Sequence, residues 1–251
     1  MSGSPILAVS GLNKRFGALE VARDVTLEMA AGARVGLIGP NGAGKTTLVN
    51  LLTGMLFADS GDITLMGEAI GHVRPEDRVR RGLVRTHQIN TLLVETTVRD
   101  NVALAIAERN HFGWRAIRWS RVWKACREEA DARLTDMGLD DAADRPVSQL
   151  PYGRQRLLEI AIALALRPRV LLLDEPAAGV PSAEAGVIHD RLARLPAEVA
   201  ILMIEHDMDL VFRFAREIVV LVQGSVLVRG TPAAIAADAR VREVYLGRGT
   251  A

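Results

Sequence analysis

Several things are scarce in this chain of 251 residues, and each scarcity excludes something. Cysteine occurs once, at Cys126, so no internal disulfide can form, which fits a reducing compartment. Only 22 glycines and 10 prolines are present, too few for a collagen-like or linker-dominated chain. Neither charge sign dominates: Lys+Arg 31 against Asp+Glu 30 leaves +1, which gives no global footprint for nucleic acid. Long apolar runs are missing as well. Ile160 to Leu166 is typical of the longest, and a bilayer span needs about 18 or more residues. Met1 to Pro5 lacks the basic-then-apolar pattern of a signal peptide. The expectation is a cytoplasmic protein that reaches a membrane only through a partner. Lysine is rarest among the charged residues, at Lys14, Lys45 and Lys124 alone, so a lysine inside a motif is not explained by composition.

The hydrophobic fraction of 49% is enough for one sizeable core, or a core with a smaller lobe. Ile6–Val9, Val25–Met29 and Val35–Ile38, punctuated by Gly11, Gly17 and Gly32, read as strands. From Lys45 the spacing of Leu48, Val49, Leu51, Leu52, Met55 and Leu56 becomes helical. Residues 97–166 read as mostly helical. Thr97 with Asp100 resembles a capping box, and Trp119, Trp123, Cys126, Ala130, Leu134 and Met137 form one stripe, stopped by Gly138. Val170–Leu173, Ile201–Ile204 and Ile218–Val222 read as buried strands, and Thr231-Pro232 as a helix start. The pattern is that of an α/β protein with a helical insertion.

Gly39-Pro40-Asn41-Gly42-Ala43-Gly44-Lys45-Thr46 matches G-x-x-x-x-G-K-[ST] between a strand and a helix. In such a loop successive N–H groups turn inward onto phosphate oxygens, and the helix N-terminus adds its positive end. Lys45 then reaches the terminal phosphates, and the Thr46 hydroxyl can ligate magnesium. Asp174 and Glu175 follow an apolar strand, where open α/β sheets place their ligands. Asp174 is the candidate Mg2+ holder and Glu175 the candidate general base for an attacking water. Guanine recognition has no support. The only Asn-Lys pair, Asn13-Lys14, precedes the loop and continues as Arg15-Phe16.

With these motifs in order the chain resembles the ATP-binding cassette (ABC) ATPases. The resemblance implies a P-loop NTPase (RecA-like) core with an N-terminal antiparallel β subdomain, spanning 1–88 and 167–251, and an inserted α-helical subdomain, 89–166. It implies ATP contacts from Phe16 (adenine stacking), from Gly39 through Lys45, and from Thr46 and Thr47. Gln88 would sense magnesium and water, with Thr46 and Asp174 as the other metal contacts. His206 would be the switch histidine at the γ-phosphate. Tyr152, Gly153 and Arg154 would form the signature that faces a partner's ATP, and Ala178-Gly179-Val180-Pro181 the dimer-facing loop. More narrowly, the chain is similar to the nucleotide-binding subunits of branched-chain amino acid importers. The residues that carry this are Arg85-Thr86-His87-Gln88, Thr97 to Val102, Tyr152-Gly153 with Leu158 to Ala161, Asp174 to Gly179, Glu205-His206-Asp207-Met208 and Tyr245-Leu246-Gly247. The implied activity is ATP hydrolysis, with ATP and Mg2+ as the bound groups. The implied partners are a second cassette, alike or different, integral-membrane permease subunits and, indirectly, a periplasmic or extracellular binding protein. No nucleic acid is implied, and the location would be the inner face of the membrane.

Departures accompany the match. Pro151 stands where the signature serine is usual, Arg154 where glutamine is common, His87 where phenylalanine is expected, and Pro181 where an acid or asparagine is usual. They keep open a cassette that clamps ATP without hydrolysing it; a non-transport ABC ATPase is the other alternative. Arg154 is expected on a phosphate or on an acid across the dimer. The arginines from Arg74 to Arg127, with Lys124, are either a solvated face or a docking surface for a permease near anionic lipid.

Overall fold

The computed structural model describes residues 4–86, 92–112 and 121–246. The chain divides into two compact units, one of 1–83, 169–175 and 196–251, the other of 84–168 and 176–195. The 89–166 stretch read from the sequence lies inside the second unit, which adds residues 84–88, 167–168 and 176–195.

In the first unit, β1 (Leu7–Phe16) and β2 (Leu19–Met29) form a hairpin, followed by β3 (Arg34–Ile38) and α1 (Lys45–Thr53). A second hairpin, β4 (Ser60–Leu65) and β5 (Glu68–Ala69), precedes α2 (Pro75–Arg80) and β6 (Leu83–Arg85). The second unit takes in Val84 and Arg85 of β6 and continues with α3 (Val98–Arg109) and α4 (Arg121–Met137). It continues through 3-10 turns at Asp140–Ala142 and Val147–Gln149 to α5 (Tyr152–Ala165). Next come β7 (Val170–Asp174) of the first unit and α6 (Ser182–Ala193) of the second. The first unit then resumes with β8 (Ala200–Ile204), α7 (Met208–Phe214), β9 (Glu217–Val222), β10 (Ser225–Gly230), α8 (Pro232–Ala237) and α9 (Ala239–Leu246).

Two sheets result. An antiparallel sheet runs β2-β1-β4-β5, and a second runs β10-β9-β3-β8-β7-β6. In the second, β3 is parallel to both β8 and β9, and β7 is parallel to β8. Every residue of β7 and of β8 is buried, and all but Asp174 at the end of β7 are apolar, the run that a parallel strand covered on both faces requires. One face packs Leu48, Leu51 and Leu52 of α1 against Leu37, Leu172 and Leu202 and against Leu7, Val9, Leu27 and Met29 of the antiparallel sheet. The other face packs Ile38, Ile218 and Val220 against Val211, Ala215, Ile235 and Val241. Parallel pairing therefore brings the C-terminal ends of β3, β7 and β8 to one edge of the sheet, where a ligand is received.

In the second unit the helix ends follow from the sequence. Thr97 caps α3, its hydroxyl accepting the Asp100 N–H at 3.1 Å. Cys126, Ala130, Leu134 and Met137 are the buried face of α4, and Gly138, at φ +69°, ends it. Trp123 of the predicted stripe is half-buried, and Trp119 lies outside the described residues. Back in the first unit, Thr231 caps α8 by accepting the Ala234 N–H, with Pro232 in the first turn.

Candidate active site

The loop after β3 is shaped by backbone pressing on it from both sides. A Cβ on Gly39 would lie 2.2 Å from the Leu221 carbonyl oxygen, and one on Gly44 would lie 2.6 Å from that of Val21. Gly44 also holds φ +99°, the left-handed region that glycine enters without strain. Ala43 donates its N–H to Pro40 and accepts from Gly224 N–H at 2.9 Å, which closes the loop onto the turn after β9. No hydrogen bond among the described residues uses the amides of Gly42, Gly44, Lys45, Thr46 or Thr47. These are the donors that the start of a helix leaves unsatisfied. Asn41 and Thr46 are exposed beside them. The Lys45 ammonium is buried within the loop, donating to the carbonyls of Gly39 at 2.5 Å and Pro40 at 3.1 Å. Burial pushes its pKa down, while Glu175 and then Asp174 pull it back up.

The acids sit where β7 ends. Asp174 is 6% exposed. Glu175 occupies the left-handed region at φ +47°, uncommon for a residue with a side chain and characteristic of functional sites. Its N–H donates to Ile204 at the end of β8. Its Oε1 lies 2.7 Å from Nε2 of His206, two residues beyond that strand. The antiparallel sheet brings Phe16, half exposed, to the end of β1. Lys45, Asp174, Glu175, His206 and Phe16 thus all belong to one unit. Gln88 and His87 fall outside the described residues.

The signature residues belong to the other unit. Tyr152 opens α5, and the residue before it, Pro151, provides no side-chain cap. The Tyr152 hydroxyl accepts from Arg156 at 2.5 Å, and its ring lies against Gly179, where a Cβ would stand 3.2 Å from Cε1. Gly153 is buried. Within this chain the Arg154 guanidinium is bidentate on Asp141, with a further bond to the Gly138 carbonyl. The pair raises the arginine pKa and lowers that of Asp141. A correction concerns the basic stretch. Arg78 is 1% exposed and so belongs to no surface. Arg80, Arg81, Arg99, Arg109 and Arg127 are paired with Asp77, Glu68, Asp131, Glu129 and Asp100 respectively.

A polyphosphate fits this loop, because at least five amides and a buried ammonium converge without an anion of the protein's own on the amides. For a divalent ion the test is the donor set. Among the described residues no group of three or more His, Cys, Asp or Glu side chains could hold a metal. Thr46 and the buried carboxylate of Asp174 suit magnesium, which takes one or two protein oxygens and completes its shell with phosphate and water. Sequence reasoning missed Glu205, 6% exposed, whose carboxylate turns back to accept the His206 N–H at 3.1 Å. Its signals were its place directly after a wholly apolar strand and its membership of the Glu205-His206-Asp207-Met208 run, neither of which gave it a role. It also left Lys14 unassigned, although its scarcity flagged it; Nζ stands 5.7 Å from the Phe16 ring centre.

Comparison with known proteins agrees with this geometry. The family model for the ABC transporter matches residues 22–178, and that for the branched-chain amino acid ATP-binding cassette transporter matches residues 225–251. The chain is 40% identical to the high-affinity branched-chain amino acid transport ATP-binding protein BraF of Pseudomonas aeruginosa, over 97% of this chain and 98% of that one. It is 38% identical to LivG of Escherichia coli K12, a protein with the same description, at the same coverage. A crystal structure of an ATP-binding cassette of an ABC transporter in its ADP conformation superposes with a TM-score of 0.85 at 29% identity, covering 98% of this chain and 100% of that one. The fold is that of the ABC ATPase cassettes, and the chain belongs to the ABC transporter family as one of its ATP-binding proteins.

Proposed function

We propose that this chain binds and hydrolyses ATP to drive an importer of branched-chain amino acids or related small amides and acids. The observation that carries the reading is the set of amides of Gly42, Gly44, Lys45, Thr46 and Thr47, unengaged among the described residues, around a buried Lys45 ammonium, beside the acids of β7. The amides and Lys45 would hold the β- and γ-phosphates, and Phe16 would stack on adenine. Thr46, Asp174 and Gln88 would hold Mg2+, which supplies charge neutralisation on the phosphate oxygens. Glu175 would accept the proton of an attacking water, and His206, whose Nε2 is 2.7 Å from Glu175 Oε1, would orient that carboxylate. Tyr152, Gly153 and Arg154 would serve the ATP of a second cassette. The cargo class is drawn from the relatives' descriptions and from the C-terminal family match. Among the described residues no helix is long and apolar enough to cross a membrane. The chain would therefore work on the inner membrane face through permease subunits, fed indirectly by a binding protein, with no role for nucleic acid.

The test is phosphate release by the purified chain, alone and with its partner cassette. Glu175→Gln should keep ATP binding and lose turnover by ~100-fold or more; equal turnover in both proteins removes Glu175 from the role. Pro151 favours a second reading, a cassette that clamps ATP without hydrolysing it, since it offers neither hydroxyl nor backbone N–H at the start of α5. Stoichiometric ATP binding with no magnesium-dependent phosphate release by the wild type would select that reading.

A further inference from the structure

Of the three lysines, Lys45 lies in the phosphate loop, and Lys124 extends into solvent, its side chain 81% exposed. Lys14 does neither. Its side chain is 17% exposed, and its Nζ is fixed 2.7 Å from Oδ1 of Asp59. Asp59 is itself tied to the same strand twice: Oδ2 accepts the Arg15 N–H at 2.7 Å, and its own N–H donates to the Asn13 carbonyl at 2.9 Å. The ammonium so placed stands over the Phe16 ring at 5.7 Å from its centre, within the ~6 Å range of a cation–π contact. Phe16 is 50% exposed, so the ring keeps surface open to solvent beside that contact.

We infer that Lys14, held by Asp59, is a positioning residue for nucleobase binding: it fixes one face of the Phe16 ring so that the other receives a purine. The inference rests on the reading of Phe16 as the base platform. A flexible exposed phenylalanine at a strand end must be ordered when a base stacks on it, and the ammonium does that ordering beforehand. Arg15, the neighbouring cation, points elsewhere, 3.5 Å from Glu20. Of the two, the scarce lysine holds the ring and the common arginine does not.

The test separates base from phosphate by titrating the full chain calorimetrically with ATP and, separately, with inorganic tripolyphosphate. Lys14→Met keeps the aliphatic stem and should weaken ATP binding ~3-fold while leaving tripolyphosphate unchanged. Asp59→Asn should do the same to a smaller extent, and Lys14→Arg should restore ATP binding. In a Phe16→Ala background, Lys14→Met should have no further effect on ATP. Equal weakening of both ligands would show a merely structural role and overturn the inference, as would a Lys14→Met effect that persists without Phe16. If Phe16→Ala itself leaves ATP affinity unchanged, the platform reading fails and the inference falls with it.

Discussion

Lys45 carries a buried ammonium between two backbone carbonyls, and desolvation lowers its pKa. Such a charge works against folding until an anion arrives, the usual tension between stability and function at a binding site. Lys45→Met should therefore reduce ATP affinity on the order of 100-fold, through loss of charge-assisted bonds to phosphate. The same substitution should leave the thermal midpoint in the absence of nucleotide unchanged or raised. A fall in both would mean that the lysine is chiefly structural. Gly44 behaves oppositely. Its φ of +99° and the 2.6 Å approach to the Val21 oxygen leave no room for a methyl group. Gly44→Ala should cost ~2 kcal/mol in denaturant unfolding, together with nucleotide binding. The loop lysine and the strand-end acids were legible in the sequence because each acts at a short, fixed distance along the chain from a strand or helix end. Lys14 and Asp59 are separated by 45 residues, and their pairing exists only once β1 and the start of β4 are side by side.

At the scale of elements, α1 is held at both ends. Its start is the phosphate loop; its end is gripped by Arg78, whose guanidinium donates to the carbonyls of Leu51 and Leu52 and to those of Val73 and Gly71. Burial without a carboxylate in this set depresses the arginine pKa to about 10. Gly54 makes the room, since a Cβ there would lie 2.9 Å from Arg78 Nε. Arg78→Ala would remove a donor from four carbonyls, those of Leu51 and Leu52 buried and those of Gly71 and Val73 partly buried, and should cost ~3 kcal/mol, read as a lower denaturant midpoint. Arg78→Lys should recover only part, because an ammonium lacks the planar fork. Counting arginines between Arg74 and Arg127 could not distinguish this residue from its surface neighbours, because the carbonyls that satisfy it belong to another helix and to the loop before α2. The helix starts at Lys45, Thr97 and Thr231 were legible, being local backbone chemistry. The second unit has its own anchor, Glu129, gripped by Arg109 and Arg167 and held down to about 2 against 4.5. A carboxylate depressed on folding contributes stability that is fully present above about pH 4.5 and lost as the pH falls towards 2. Acid unfolding followed across that window should be steeper in the wild type than in Glu129→Gln. Identical profiles would mean that the trio is too solvated to matter.

For the whole molecule the open question is what closes over the nucleotide. The phosphate loop and the signature residues lie in different compact units of one chain, and the family resemblance implies that each signature serves a second chain. Arg154 is the residue whose behaviour tests this. It sits in the first turn of α5, on the positive pole of that helix, and is tethered to Asp141 and to the Gly138 carbonyl. Asp141 is an exposed partner, so the pair adds little to folding. Arg154→Ala should leave the thermal midpoint within ~2 °C. If the guanidinium serves the partner's phosphates, the same change should weaken ATP-driven dimerisation of Glu175→Gln protein by ~10-fold in analytical ultracentrifugation, the worth of one charge-assisted bond. ATP affinity of the dilute monomer should not change, because Arg154 is not part of the compact unit that carries the phosphate loop. Asp141→Ala should move dimerisation the other way, by releasing the guanidinium. Unaltered dimerisation in both variants would confine Arg154 to bracing its own unit.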